Sequence, residues 1–224
     1  MQSSSSWFRG ALLAVSIASL ALVACDDPAK GKSKATSSEP VATTTTQSAT
    51  GSPSPEGTVR YGFDQGASKV TWTGSKVTGK HDGGFATFKG SVELVNGAPE
   101  KSKVDVQIEA DSLTSDAEKL TKHLKSPDFF DVAAHPKATF VSTDVKRGGE
   151  KGASHTITGN LTIKGITKTI TFPATIALNG DATNVDAEFA INRRDFSLNY
   201  AGMPNDLIRD DVVIKLLIRA KKAT

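Results

Sequence analysis

From Thr58 onward the apolar positions of the chain recur with a period of two. Val104, Val106 and Ile108 alternate with Lys103, Asp105, Gln107 and Glu109, which sets the three apolar side chains on one face of a strand. The same alternation runs through Ile157, Leu161 and Ile163, then through Ile170, Phe172, Ala174, Ile176 and Leu178. It returns in Val185, Ala187, Phe189 and Ile191, and in Val212, Ile214, Leu216 and Ile218. Turn signals punctuate these runs at Lys80–Gly84, Asn96–Pro99, Arg147–Glu150, Lys164–Gly165 and Asn179–Asp181. About eight strands joined by short turns predict an all-β domain over residues 58–224, an antiparallel sandwich or barrel. The up-and-down barrel is favoured, because closure removes the edges that so many strands otherwise expose.

One stretch has a helical period instead. Ser115 to Lys125 places Leu120 and Leu124 four residues apart, with Ser115 as a candidate cap and Pro127 as the stop. A single short helix lying across one barrel mouth is predicted. Phe129 and Phe130 are more apolar than a surface loop needs, so they either plug that mouth or line a cavity behind it.

The first 57 residues have neither pattern. Ala11–Ala24 is an uncharged apolar run following Arg9, too short for a membrane span and suited to the central region of a secretory signal. It ends Leu22-Val23-Ala24-Cys25, which resembles a bacterial lipobox, and Cys25 is the only cysteine of the chain. The expected division is a signal peptide over 1–24, an acylated Cys25 with a disordered Ser/Thr/Pro-rich tether over 25–57, and the barrel over 58–224. The tether holds too little apolar surface to offset its chain entropy, and as a flexible coil it reaches about 30 Å. A lipidated Cys25 implies the cell envelope, on the periplasmic side of a bacterial membrane. Asp26 tilts the expectation toward the inner membrane.

Composition narrows the chemistry. The chain has 224 residues, with Lys+Arg 27 against Asp+Glu 24, and its basic residues are scattered, so no nucleic-acid partner is expected. One cysteine excludes internal disulfides and Cys-X-X-Cys redox chemistry. The histidines, His81, His123, His135 and His155, have no ligand spacing, so no metal site is expected. No nucleophile elbow, phosphate loop or dinucleotide fingerprint occurs, and no catalytic residue is assigned. Trp72 is either a core aromatic or a cavity liner.

Three segments resemble the YceI-like polyisoprenoid-binding family. The first is Ser112-Leu113-Thr114 followed by His123 to Val132, with Asp128-Phe129-Phe130 at its centre, then His135-Pro136 and Phe140. The second is Gly159 to Lys168. The third is Arg193-Arg194-Asp195-Phe196, with Asp211-Val212 before the last strand. Thr121, Lys164 and Ser197 depart from the family pattern, where an aspartate, a histidine and a glycine are common. The resemblance implies a lipocalin-like barrel holding an isoprenoid lipid or isoprenoid quinone, as carrier or scavenger and without catalysis; no other cofactor is implied.

Candidate liners under that reading are Phe88, Val106, Ile108, Leu113, Leu124, Phe130, Phe140, Leu161, Ile163, Phe172, Phe189 and Leu216, each with core packing as its alternative. Arg193 and Arg194 are candidates to meet a phosphate head group, with the alternative that Arg193 clamps the fold by pairing with Asp195 or Asp128. Two other readings compete: a filled barrel acting as an interaction module, and an enzyme working on a barrel-bound lipid. A homodimer stays open.

Overall fold

The computed structural model describes residues 27–42 and 56–223. The proposed signal peptide, Cys25, Asp26 and residues 43–55 of the proposed tether lie outside the described residues. The elements begin with β1 (Ser33–Lys34) and β2 (Thr36–Ser38), followed by β3 (Thr58–Asp64), β4 (Lys69–Lys76) and β5 (Gly79–Phe85). Next come β6 (Phe88–Val95), β7 (Ala98–Glu109), β8 (Leu113–Ser115) and the one α-helix among the described residues, α1 (Glu118–Lys125). The second half holds β9 (Lys137–Arg147), β10 (His155–Ile163), β11 (Ile166–Asn179), β12 (Ala182–Asn192), β13 (Gly202–Met203), β14 (Asp206–Leu207) and β15 (Asp211–Lys222).

Eight of these strands close an antiparallel barrel in the order β3-β6-β7-β9-β10-β11-β12-β15, and Lys221 of β15 returns to Gly62 of β3. The predicted architecture is therefore the observed one. β15 is long enough to hold two neighbours on one edge, β4 along Val213–Leu217 and β3 at Lys221–Lys222. From β4 the sheet continues through β5 to β8, a flap that carries α1.

Two tight turns follow directly from sequence. Asn96 and Gly97 link β6 to β7 at φ 52° and 69°, and Lys164 and Gly165 link β10 to β11 at 50° and 73°. Left-handed backbone at both central positions matches the right-handed twist of the strands that such turns join.

Three expectations need correction. Lys80–Gly84 is strand β5, not a turn; the chain reverses earlier, at Val77 and Thr78. Gly83 is needed there because a Cβ would stand 2.2 Å from the Thr114 carbonyl oxygen and 2.3 Å from the Trp72 ring. The helix starts at Glu118, since Ser115 is committed to β8, where its hydroxyl donates to the Ala117 carbonyl at 2.8 Å.

The third correction concerns the tether. Residues 27–42, expected to be disordered, lie on the barrel as a strap. Ser33 and Lys34 run parallel to Phe189 and Ala190 of β12, while Thr36–Ser38 pair antiparallel with Thr169–Thr171 of β11. The ladder between β11 and β12 stops at Thr175 opposite Asp186, and the strap occupies the seam beyond it. A backbone ladder needs no apolar side chain, so a polar segment serves.

Candidate functional site

Because side chains alternate across each strand, every barrel strand sends its apolar set to one interior. That interior encloses a cavity of about 420 Å³, within the ~300–1,000 Å³ common for small-molecule sites. Its wall is almost wholly apolar. Val106 and Ile108 come from β7, Phe140 from β9, Leu161 and Ile163 from β10, Phe172 from β11, Phe189 from β12 and Leu216 from β15. Leu124 and Phe130 close the end under α1, where Phe85 and Phe130 meet edge to face at 6.3 Å. At the other end the wall reaches Leu178 and Thr183 beside the β11–β12 turn.

Two candidate liners lie elsewhere. Phe88, only 3% exposed, packs with Tyr61, Phe63 and Val92 between β3 and β6. Leu113 is fully buried in a separate cluster with Leu124 and Phe129, because β8 belongs to the flap and not to the barrel wall. Trp72 lies on the wall, which resolves its two alternatives, and Phe129 joins it.

Arg193 follows β12 in a short 3₁₀ turn, Arg193–Phe196, and is 3% exposed. Its guanidinium donates to the carbonyls of Arg209 at 3.0 Å and Ile208 at 3.2 Å, to that of Leu198, and to the Asp210 carboxylate at 3.2 Å. Burial lowers its pKa, against an opposing pull from Asp210. Arg194 Nε reaches the same carboxylate oxygen at 2.6 Å and is not on the wall. Arg193 borders the cavity, yet its guanidinium is engaged as a clamp whose carboxylate partner is Asp210, not Asp195 or Asp128, and Arg194 shares that carboxylate. The turn ends on Ser197 at φ 54°, a left-handed position filled without glycine.

The polar groups that sequence reasoning missed gather near the α1 end. Lys76 lines the cavity and holds Asp206 at 2.5 Å, which lowers the aspartate's pKa. His81 lines it too and bonds Asp116 at 2.8 Å through Nδ1, with the same effect on that carboxyl. Neither pair has a sequence signature, since each joins residues far apart in the chain. Among the described residues no three His, Cys, Asp or Glu side chains gather as a metal site. His155 is buried outside this wall, its Nδ1 within 2.8 Å of the Ser154 hydroxyl, and burial lowers its pKa from 6.5.

Known proteins share this architecture. The barrel overlays the crystal structure of Burkholderia cenocepacia BcnA with a TM-score of 0.60 at 27% identity, over 72% of this chain and 99% of that one. A polyisoprenoid binding domain from Saccharophagus degradans overlays at 0.56, covering 74% and 99% of the two chains, and at 16% identity it speaks for the fold alone. A UPF0312 protein of Pseudomonas putida (strain W619) is 35% identical over 139 residues, 59% of this chain and 71% of the relative. The model of the YceI-like domain matches residues 61–220, which takes in all or most of every barrel strand and the DFF segment beneath α1. By that match and the closed eight-stranded barrel behind it, the chain belongs to the YceI-like family.

Proposed function

We propose that the protein is a membrane-anchored bacterial lipoprotein whose barrel carries or scavenges a long apolar lipid, an isoprenoid or isoprenoid quinone, and does no chemistry on it. The observation that carries this reading is the cavity, whose apolar wall runs from Leu178 at one end to Phe129 at the other. Desolvating an isoprenoid chain there is worth about 25 cal/mol per Å² before ordering costs. Lys76 and His81 make the α1 end the natural place for a polar head group. The structural likeness to a polyisoprenoid binding domain is in keeping with this ligand class. Anchoring rests on the Leu22-Val23-Ala24-Cys25 sequence, with the periplasmic face of the inner membrane as the proposed location.

The test is native ligand capture. The full chain, expressed in a bacterium with its leader, is purified in detergent and extracted with organic solvent for mass spectrometry. About one equivalent of an apolar prenyl-type lipid is expected. A chain that yields none, and takes up neither a polyprenol nor ubiquinone when offered them, overturns the reading.

A further inference from the structure

Six large apolar side chains stand exposed among the described residues, and four of them form one lip. Val77 is 54% exposed, Tyr200 37%, Met203 63% and Leu207 51%. Their continuity is fixed by backbone: β13 and β14 pair as a hairpin, and the Val77 amide donates to the Leu207 carbonyl at 3.1 Å. Tyr200 leans on His123 of α1 at 4.7 Å and on Phe129 at 5.3 Å. Phe129, Lys76 and Ile208, which touch or adjoin these residues, are themselves cavity wall. The lip therefore rims the α1 mouth, and its apolar surface runs on into the lumen.

The strap brings the N-terminal chain to the same place. Arg209 directly follows Leu207 and Ile208, and its Nη1 lies 3.5 Å from the Asp27 carboxylate. Cys25 is two residues upstream of Asp27, and two extended residues span at most about 7 Å. An acyl anchor on Cys25 therefore ties the bilayer within a two-residue reach of Asp27, and not a tether length away, although the same turn is also held at Gly31 by Lys151 of the β9–β10 loop. An exposed apolar patch of this kind marks a contact surface, and Tyr and aliphatic side chains at such a rim suit the membrane interface.

The geometry points to the Val77–Tyr200–Met203–Leu207 lip as a membrane-docking surface, seated in the interfacial layer of the bilayer that holds the anchor. The proposal rests on the acylated-Cys25 reading for its orientation. Docked this way, an apolar ligand passes between bilayer and cavity without crossing water, and the far end of the barrel, at the β11–β12 turn, points away from the membrane.

Depth quenching tests it. The full chain is expressed with its leader, extracted, and reconstituted into phosphatidylethanolamine–phosphatidylglycerol vesicles with brominated acyl chains. A bimane probe is attached to Met203→Cys or, as the far-end control, to Asn179→Cys. Bromolipid is expected to quench the Met203 probe at least threefold more than the control. Equal quenching at both positions overturns the proposal, as does a Met203 probe shielded only as protein concentration rises, which marks a second copy on the lip.

Mass spectrometry of the N-terminal peptide reads the anchor separately. An acylated Cys25 with an unquenched Met203 probe sinks docking alone. An unacylated Cys25 sinks the anchor; because its free thiol would take the probe too, docking is then read from Met203→Cys combined with Cys25→Ala, where quenching supports docking and its absence sinks both.

Discussion

Phe172 of β11 and Phe189 of β12 stack with ring centroids 4.2 Å apart and planes 16° from parallel. Their strands no longer exchange backbone hydrogen bonds at this level, because the ladder between them has already ended at Thr175 and Asp186. The two rings hold the seam from the cavity side while the strap fills it in the wall. Phe189→Ala removes that contact from a buried ring on the cavity wall and is expected to cost about 3 kcal/mol in urea unfolding. Phe189→Leu keeps most of the volume and is expected to cost about 1 kcal/mol.

The strap is pinned at its far end by a closed polar ring. Asn160 Nδ2 donates to the Val41 carbonyl at 2.7 Å, the Thr169 hydroxyl donates to Asn160 Oδ1 at 2.6 Å, and the Val41 amide donates to Thr169 Oγ1 at 2.9 Å. Asn160→Ala is expected to destabilise by about 1–3 kcal/mol, by leaving a buried hydroxyl short of its acceptor. Hydrogen exchange then accelerates first at Thr36–Ser38. Uniform acceleration across the barrel would show that the strap is not a separate unit.

Arg193 gives a contrast between clamp and ligand group. Arg193→Lys keeps the charge but not the planar fork that serves three carbonyls and Asp210, so about 3 kcal/mol of stability is expected to be lost. Lipid uptake by the fraction that remains folded should be unchanged. Normal stability with lost uptake would restore the head-group role.

Stability should depend on pH through His155. Burial holds its folded pKa below the ordinary 6.5, so between those two values the unfolded chain binds more protons than the native one. The contribution is therefore present above pH 6.5 and is lost as pH falls from there through the lowered folded value. Urea midpoints measured from pH 8 to pH 5 should decline in the wild type. His155→Gln should flatten that decline, leaving the slope due to carboxylates at lower pH.

Ser197 occupies left-handed backbone at φ 54°. Ser197→Gly relieves the strain of a Cβ in that region and is expected to raise stability by about 0.5–1 kcal/mol, read from the same urea midpoints. No change would mean that the surrounding turn already compensates.

The alternating strands β7, β10, β11, β12 and β15, the helix and the Phe129–Phe130 mouth were legible because each depends on local periodicity or on side-chain type, whereas glycine-rich β5 read as a turn. Of the named liners, Val106, Phe140 and Phe172 reach the cavity because they share the inward face of a wall strand. Leu113 has the same apolar character but lies on a flap strand, and no periodicity distinguishes flap from wall. The strap was illegible for a different reason: Ser33–Ser38 has Ala35 as its only apolar side chain, and its attachment is carried by main-chain pairing with strands more than a hundred residues away. Lys76 and His81 met their carboxylates the same way, through tertiary placement alone.

The strap and the barrel closure share a consequence for assembly. Ser33 waits for Phe189, and β3, the first barrel strand in chain order, completes its pairing only with the 12-residue β15, about 150 residues later. Contacts so distant in sequence form slowly, since the loop must close before any bond rewards it. A growing chain therefore keeps an open wall and an unsealed apolar interior until β15, the last of these strands in chain order, has been made, and the vessel is sealed only when β15 meets β3.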